Sequence, residues 1–196
     1  MPRVTDAYRE ARRDEIARAA LRRLERNGVR DTSIADIVEE SGLSTGAIYS
    51  HFSNKAELAR YVAERFLLPR VDALEAAGRG GELVSPREAL RRLLMVMGKE
   101  GLSPSLVVQF WGEAMVDPDL RAAMNRTVSQ LRASLAAAVT PWAHTRAASA
   151  DAAAALAAAA ARSIAALAQG YIVHVAVFGP REVDEYIASA TSVLES

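Results

Sequence analysis

The sequence predicts an all-α fold, on three observations. Apolar residues recur at spacings of three and four along most of the chain. No stretch sustains the period-two alternation of β-branched residues that marks a strand. Helix start and stop residues punctuate the chain throughout, as at Ser44, Ser85-Pro86 and Asp117-Pro118. With 196 residues, 51% of them hydrophobic, the chain can bury one large core or two small ones.

Each element follows from its own signals. A first helix is expected from Thr5 to Asn27, because Ile16, Ala20 and Leu24 repeat every four residues and Asn27-Gly28 is a stop. Ser33 with Asp36 resembles a capping box, the acid standing where Glu is usual. Ile34, Ile37 and Val38 then face inward, Ser41-Gly42 turns the chain, Leu43 plugs the core, and Ser44 caps a helix that ends near Phe52. Asn54 and Glu57 open the next helix, with Leu58, Val62 and Phe66 at spacing four. Pro69 should kink or end it, and Gly78 to Gly81 is a break. Ser85-Pro86 opens another helix, with proline in its tolerated first position and Glu88 following. Gly98, Gly101 and Pro104 mark a junction. Asp117-Pro118 starts a helix reaching Val139, closed by Pro141, and residues 143–150 read as a loop. A long alanine-rich helix runs from Ala150 to Phe178, Gly179-Pro180 stops it, and a last helix reaches Leu194. This makes about nine helices.

Formal net charge is zero, from 24 basic and 24 acidic residues. The charge is uneven: residues 1–30 hold nine arginines against five acids, or +4. Either this is a local positive field, or the arginines are salt-bridged on a solvated helix face. There is no cysteine, and the three histidines, His51, His144 and His174, stand in no metal-ligand spacing. No HExxH, nucleophile motif or phosphate-cradling loop occurs. The reading is therefore no enzyme, no cofactor and no metal. The start, MPRVTDAYREARRDE, is charged from the outset and lacks a signal peptide's apolar segment. No apolar run is expected to reach the roughly 18 residues a bilayer needs. A cytoplasmic protein with no membrane partner fits.

The stretch Thr32 to Leu58 carries the function. A short helix, a tight turn at Gly42 and a second short helix form the layout of a helix-turn-helix, whose second helix enters the DNA major groove. Leu43, Ala47, Ile48 and Phe52 form the buried side of that second helix, and Thr45, Gly46, Tyr49 and Ser50 the other. Gly46 is a poor helix former, and a side chain there would hold the helix off the groove. Thr45 suits a thymine methyl or a base acceptor. Tyr49 and His51 can donate to phosphate oxygens. Lys55 adds charge beside a helix N-terminus, and Thr32 and Ser33 sit at another. Each has a plainer alternative: Tyr49 as packing, His51 as a cap, Gly46 as a helix contact.

These residues resemble the DNA-binding domain of the tetracycline-repressor (TetR) family. The matching positions are Gly28, Thr32-Ser33-Ile34, Asp36-Ile37, Ser41-Gly42-Leu43-Ser44, Gly46, Ile48-Tyr49, His51-Phe52, Asn54-Lys55 and Glu57-Leu58, with Val38 where alanine is usual. The resemblance implies an all-helical fold. An N-terminal three-helix DNA-binding domain would cover residues 1–53, and a C-terminal ligand-binding and dimerisation domain residues 54–196. It also places Thr32, Ser33, Thr45, Gly46, Tyr49, His51 and Lys55 at the DNA. Phe110-Trp111-Gly112-Glu113-Ala114, followed by Asp117-Pro118-Asp119-Leu120-Arg121, is similar to the C-terminal domain of a common repressor subgroup.

Two faces in the second half need partners. The alanine tract 154–168, with Leu156, Ile164 and Leu167, and the stripe Val183, Ile187, Ala190 and Leu194 suggest that the last two helices pair with their copies across a two-fold axis. Met95, Met97, Phe110, Trp111, Met115, Tyr171, His174 and Phe178 suit an adaptable apolar pocket, with Gln109, Glu113 and His174 as its polar groups. Ordinary core packing is the alternative for each. The expected function is a dimeric repressor released from operator DNA by a small apolar effector. The alternative is a dimeric DNA-binding regulator without a small-molecule ligand, controlled by a protein partner.

Overall fold

The structure is a computed structural model that describes residues 6–66, 76, 80, 82–95 and 103–191. Nine helices and no strand are defined among these residues: α1 (Asp6–Asn27), α2 (Ile34–Ser41), α3 (Thr45–Tyr49), α4 (Lys55–Phe66), α5 (Pro86–Met95), α6 (Pro104–Ala114), α7 (Pro118–His144), α8 (Ala150–Phe178) and α9 (Val183–Thr191).

The starts follow the capping chemistry of the sequence. Ser33, Ser44, Ser103, Asp117 and Ser149 each accept a backbone N–H from the first turn that follows. Ser33 and Asp36 form a reciprocal box. Gly28 closes α1 and Gly42 closes α2, with φ of 82° and 67°, a left-handed conformation that glycine adopts without Cβ strain.

Buried side chains gather into two clusters among the described residues. The first joins Ile16, Leu24, Ile37, Ile48 and Phe52 to Leu58 and Val62 of α4, and continues into Leu106 and Phe110 of α6. The second is built on α8, whose buried Ala153, Ala157, Ala161 and Ile164 pack against α5, the far half of α7, and α9. Alanine at these positions lets the long helices approach closely.

Several expectations are corrected. Helix α3 stops at Tyr49 rather than near Phe52. His51 and Phe52 both bond back to the Ile48 carbonyl, at 3.0 and 2.9 Å, and this turn drives Phe52 into the core. Pro141 does not close α7, which runs on to His144. The proline deprives the Ala137 carbonyl of its donor, at a cost of about 3 kcal/mol. Continuing the helix buries Ala143 completely and packs Trp142 against the second cluster, which helps to offset that loss. Of the stripe on the last helix, Ile187 is buried within the monomer, as is Ile164 of α8, whereas Val183 and Ala190 are half-buried. Finally, α8 is long and apolar enough to cross a membrane by length and composition. Its buried face packs in the core as described. Thr5, Pro69, Gly78, Gly98, Gly101, Met97 and Leu194 lie outside the described residues, as does the side chain of Phe66.

Candidate nucleic-acid interface and ligand pocket

Helix α3 is held from one side only. Ile48 is fully buried, and Leu43 and Phe52 pack on the same core. Ser44 accepts from Ala47 N at 3.2 Å, and Ser50 donates its hydroxyl to the Ala47 carbonyl at 2.7 Å. Thr45, Gly46, Tyr49 and Ser50 are left exposed, Tyr49 at 53%. A Cβ built on Gly46 meets nothing within 4 Å. Internal packing therefore does not require glycine there.

The other candidate contact residues are placed differently. Ser33 is exposed, with its hydroxyl engaged by Asp36. Thr32 is buried, and its hydroxyl donates to the Gly28 carbonyl at 2.7 Å, so its side chain serves the turn. Lys55 is half-buried and donates through Nζ to the Val29 carbonyl. His51 is half-buried, with Nδ1 enclosed and unpartnered among the described residues. Burial, with Arg13, Arg9 and Arg12 nearby, pushes its pKa down. At neutral pH it is an uncharged imidazole.

The arginine-rich first helix is mostly tied internally. Arg22 and Arg26 pair with Glu40, Arg23 with Asp36 and Glu39, and Arg12 with Glu15. Arg13 lies 4.6 Å from the ring centroids of both Phe52 and Tyr61, a buttress behind α3. These pairs select the salt-bridged alternative for most of α1.

A cavity of about 100 Å³ opens between α4, α5, α6, α7 and α8. Phe110 and Trp111 line it as expected, with Val107 from the same face of α6. The remaining expected pocket residues are not brought there. Met95 is exposed, and Glu113 is half-buried outside the lining. Tyr171 is buried in the second cluster, its hydroxyl donating to the Arg181 carbonyl at 2.8 Å. His174 lies against Phe178, with the two rings tilted and their centroids 5.4 Å apart. Met115 borders an adjoining outer vestibule. Sequence reasoning missed the walls: Ala59, Arg60 and Val62 of α4, Leu120, Met124 and Leu131 of α7, and Gln169 and Ile172 of α8. Their spacing was visible, but aliphatic residues at helical spacing look alike whether they meet a side chain or a void.

Gln109 works elsewhere than in the pocket. Its Oε1 accepts the backbone N–H of Val29 at 2.8 Å, across 80 residues. A Cβ on Gly28 would lie 2.7 Å from that oxygen. Val29 is thus clasped by Gln109 at its N–H and by Lys55 at its carbonyl. The cavity-lining helix α6 is bonded directly to the turn that positions α2.

Comparison with known proteins decides the family. The signature of "Bacterial regulatory proteins, tetR family" matches residues 16–62. That of "BetI-type transcriptional repressor, C-terminal" matches residues 86–196, more than half of the chain. The chain belongs to the TetR family. Its family is that of helix-turn-helix transcription regulators, which are DNA-binding proteins rather than enzymes. Among relatives, the HTH-type transcriptional regulator TtgR of Pseudomonas putida is 37% identical over 100 residues, 51% of this chain and 47% of that one. The chain thus spans about half the length of that relative. The HTH-type regulator BetI of Burkholderia thailandensis is 28% identical over 157 residues, 76% of this chain and 79% of that one. A solved structure of a transcriptional regulator from Saccharomonospora viridis, in complex with choline, superposes with a TM-score of 0.65. It is 23% identical and covers 95% of this chain and 96% of that one, which shows the shared TetR fold.

Proposed function

We propose that this TetR-family protein is a homodimeric, cytoplasmic repressor that a small apolar effector releases from double-stranded operator DNA. The observation that carries the reading is the bare outer side of α3. Thr45, Gly46 and Tyr49 are exposed together, and Gly46 has no internal packing reason. Thr45, Gly46 and Tyr49 would meet the groove, with Ser33, Ser50 and His51 toward the phosphates. Thr32 and Lys55 would act there through the turn they hold. Residues 1–53 form the reading head and residues 54–196 the effector and dimer part.

The Gln109–Val29 bond supplies a route for release. A molecule entering beside Phe110 and Trp111 displaces α6, and Gln109 carries that shift to the head. The effector must bind the released state more tightly than the DNA-bound one, or nothing shifts. The cavity supports this reading over one controlled by a protein partner, which needs no void. Dimerisation would use the exposed Val173 and Val177 end of α8 (39% and 60% exposed) rather than the buried Ile187 of α9.

The test is binding to the DNA upstream of the protein's own gene, read by fluorescence anisotropy. Tyr49→Ala should weaken binding by roughly tenfold with an unchanged melting temperature, and Val173→Glu with Val177→Glu should give monomers in sedimentation. No specific site in that DNA would sink the proposal.

A further inference from the structure

The effector's chemical class can be read from the charges around the cavity. The outer vestibule, of about 530 Å³, shares Trp111, Met124, Val128 and Gln169 with the inner cavity, so the two adjoin. One face of α7 forms its wall: Arg121, Asn125, Ser129 and Arg132 recur at spacings of three and four. The two arginines stand three turns apart, about 16 Å along the axis. Neither has an ion-pair partner among the described residues, whereas Arg65 is paired with Asp14 and Arg92 with Glu82 and Glu88.

The chain balances 24 basic against 24 acidic residues. The described lining does not: its ionisable groups are Arg60, Arg121 and Arg132, with no carboxylate. A quaternary ammonium needs a carboxylate or aromatic faces closing on it from several sides. Phe110 and Trp111 are consecutive on α6, about 100° apart around its axis. They cannot face each other across a ligand, and none of the cavity's other described walls, Leu131 and Ile172 among them, carries an aromatic ring. A bare charge of either sign is costly in the inner cavity. It belongs in the vestibule, where guanidinium donors and water are both at hand.

On the reading that this cavity is an effector site, we propose that the effector is an organic anion with an apolar body. The body packs against Trp111 in the inner cavity, and the anionic group is held at Arg121 or Arg132 in the vestibule. This chemistry differs from that of the choline bound by the Saccharomonospora viridis protein.

The test uses the full chain carrying Trp142→Phe, which leaves Trp111 as its single tryptophan. Its emission is followed during titration with octanoate, 1-octanol and octyltrimethylammonium. Octanoate should bind at least roughly tenfold more tightly than the other two, and added salt should erode that advantage. The Arg121→Ala, Arg132→Ala double variant should bring octanoate down to the affinity of octanol. Unchanged octanol binding in that variant shows that it is folded. If octanol or the ammonium binds as tightly as octanoate, or if the double variant keeps the octanoate advantage, the anion assignment fails while the pocket stands. If none of the three moves Trp111 emission, the pocket reading fails and takes this inference with it.

Discussion

The reading head and the helical bundle are held together by different means. The head is stitched by directional polar contacts: the Ser33–Asp36 box, Arg23 on Asp36, two arginines on Glu40, and Arg13 beside Phe52 and Tyr61. The bundle relies on close approach, with alanine after alanine buried along α8. It leaves a void where α6 and α7 part from α8. Caps and ion pairs specify the head, and volume specifies the bundle.

That contrast predicts that the head breaks by deletion and the bundle by addition. The largest effect should come from Phe52→Ala, which empties a fully buried site packed edge-on against Tyr61. It should cost about 3–5 kcal/mol, read as a lower denaturant midpoint with operator binding lost. A midpoint near wild type would show that the head does not hang on this residue. Next is Ala157→Leu, in the close contact of the second cluster. Overpacking there should cost about 1–3 kcal/mol; a neutral or stabilising result would mean that the bundle has slack beyond its cavity.

Ser33→Ala should cost about 1 kcal/mol through the lost cap, with a pH signature. Hydrogen bonds from the Ser33 hydroxyl and backbone, then Arg23, hold the Asp36 carboxyl down from 3.8 to about 2. A carboxylate depressed on folding stabilises fully above its unfolded value and loses that contribution as pH falls toward the folded one. The stability gap between wild type and Ser33→Ala should therefore hold from pH 7 to 5 and narrow between about 4 and 2, leaving the part due to the cap bond from Asp36 N–H. A gap independent of pH would remove Asp36 from the box.

The smallest change in stability, and the sharpest in function, is Gly46→Ala. The added methyl meets open space and should be neutral or stabilise by up to about 1 kcal/mol. Operator affinity should nonetheless fall by roughly tenfold. Affinity equal to wild type would mean that nothing approaches this side of α3.

Much was determined by the sequence alone. The helix-turn-helix, its caps at Ser33 and Ser44, the buried Ile37, Ile48 and Phe52, and the full span of the long helix Ala150–Phe178 were all legible. Capping and turn chemistry act over three or four residues, and periodicity over one helix, so both are written in consecutive letters. Only the tertiary structure decided that Pro141 stays inside α7, that Ile187 turns into its own monomer, that Gln109 reaches Val29, and which aliphatic residues face a void. Each of these depends on what a distant helix brings to the same place. Close packing reads volume and position, and residues of equal hydrophobicity carry no mark of which neighbour they will meet.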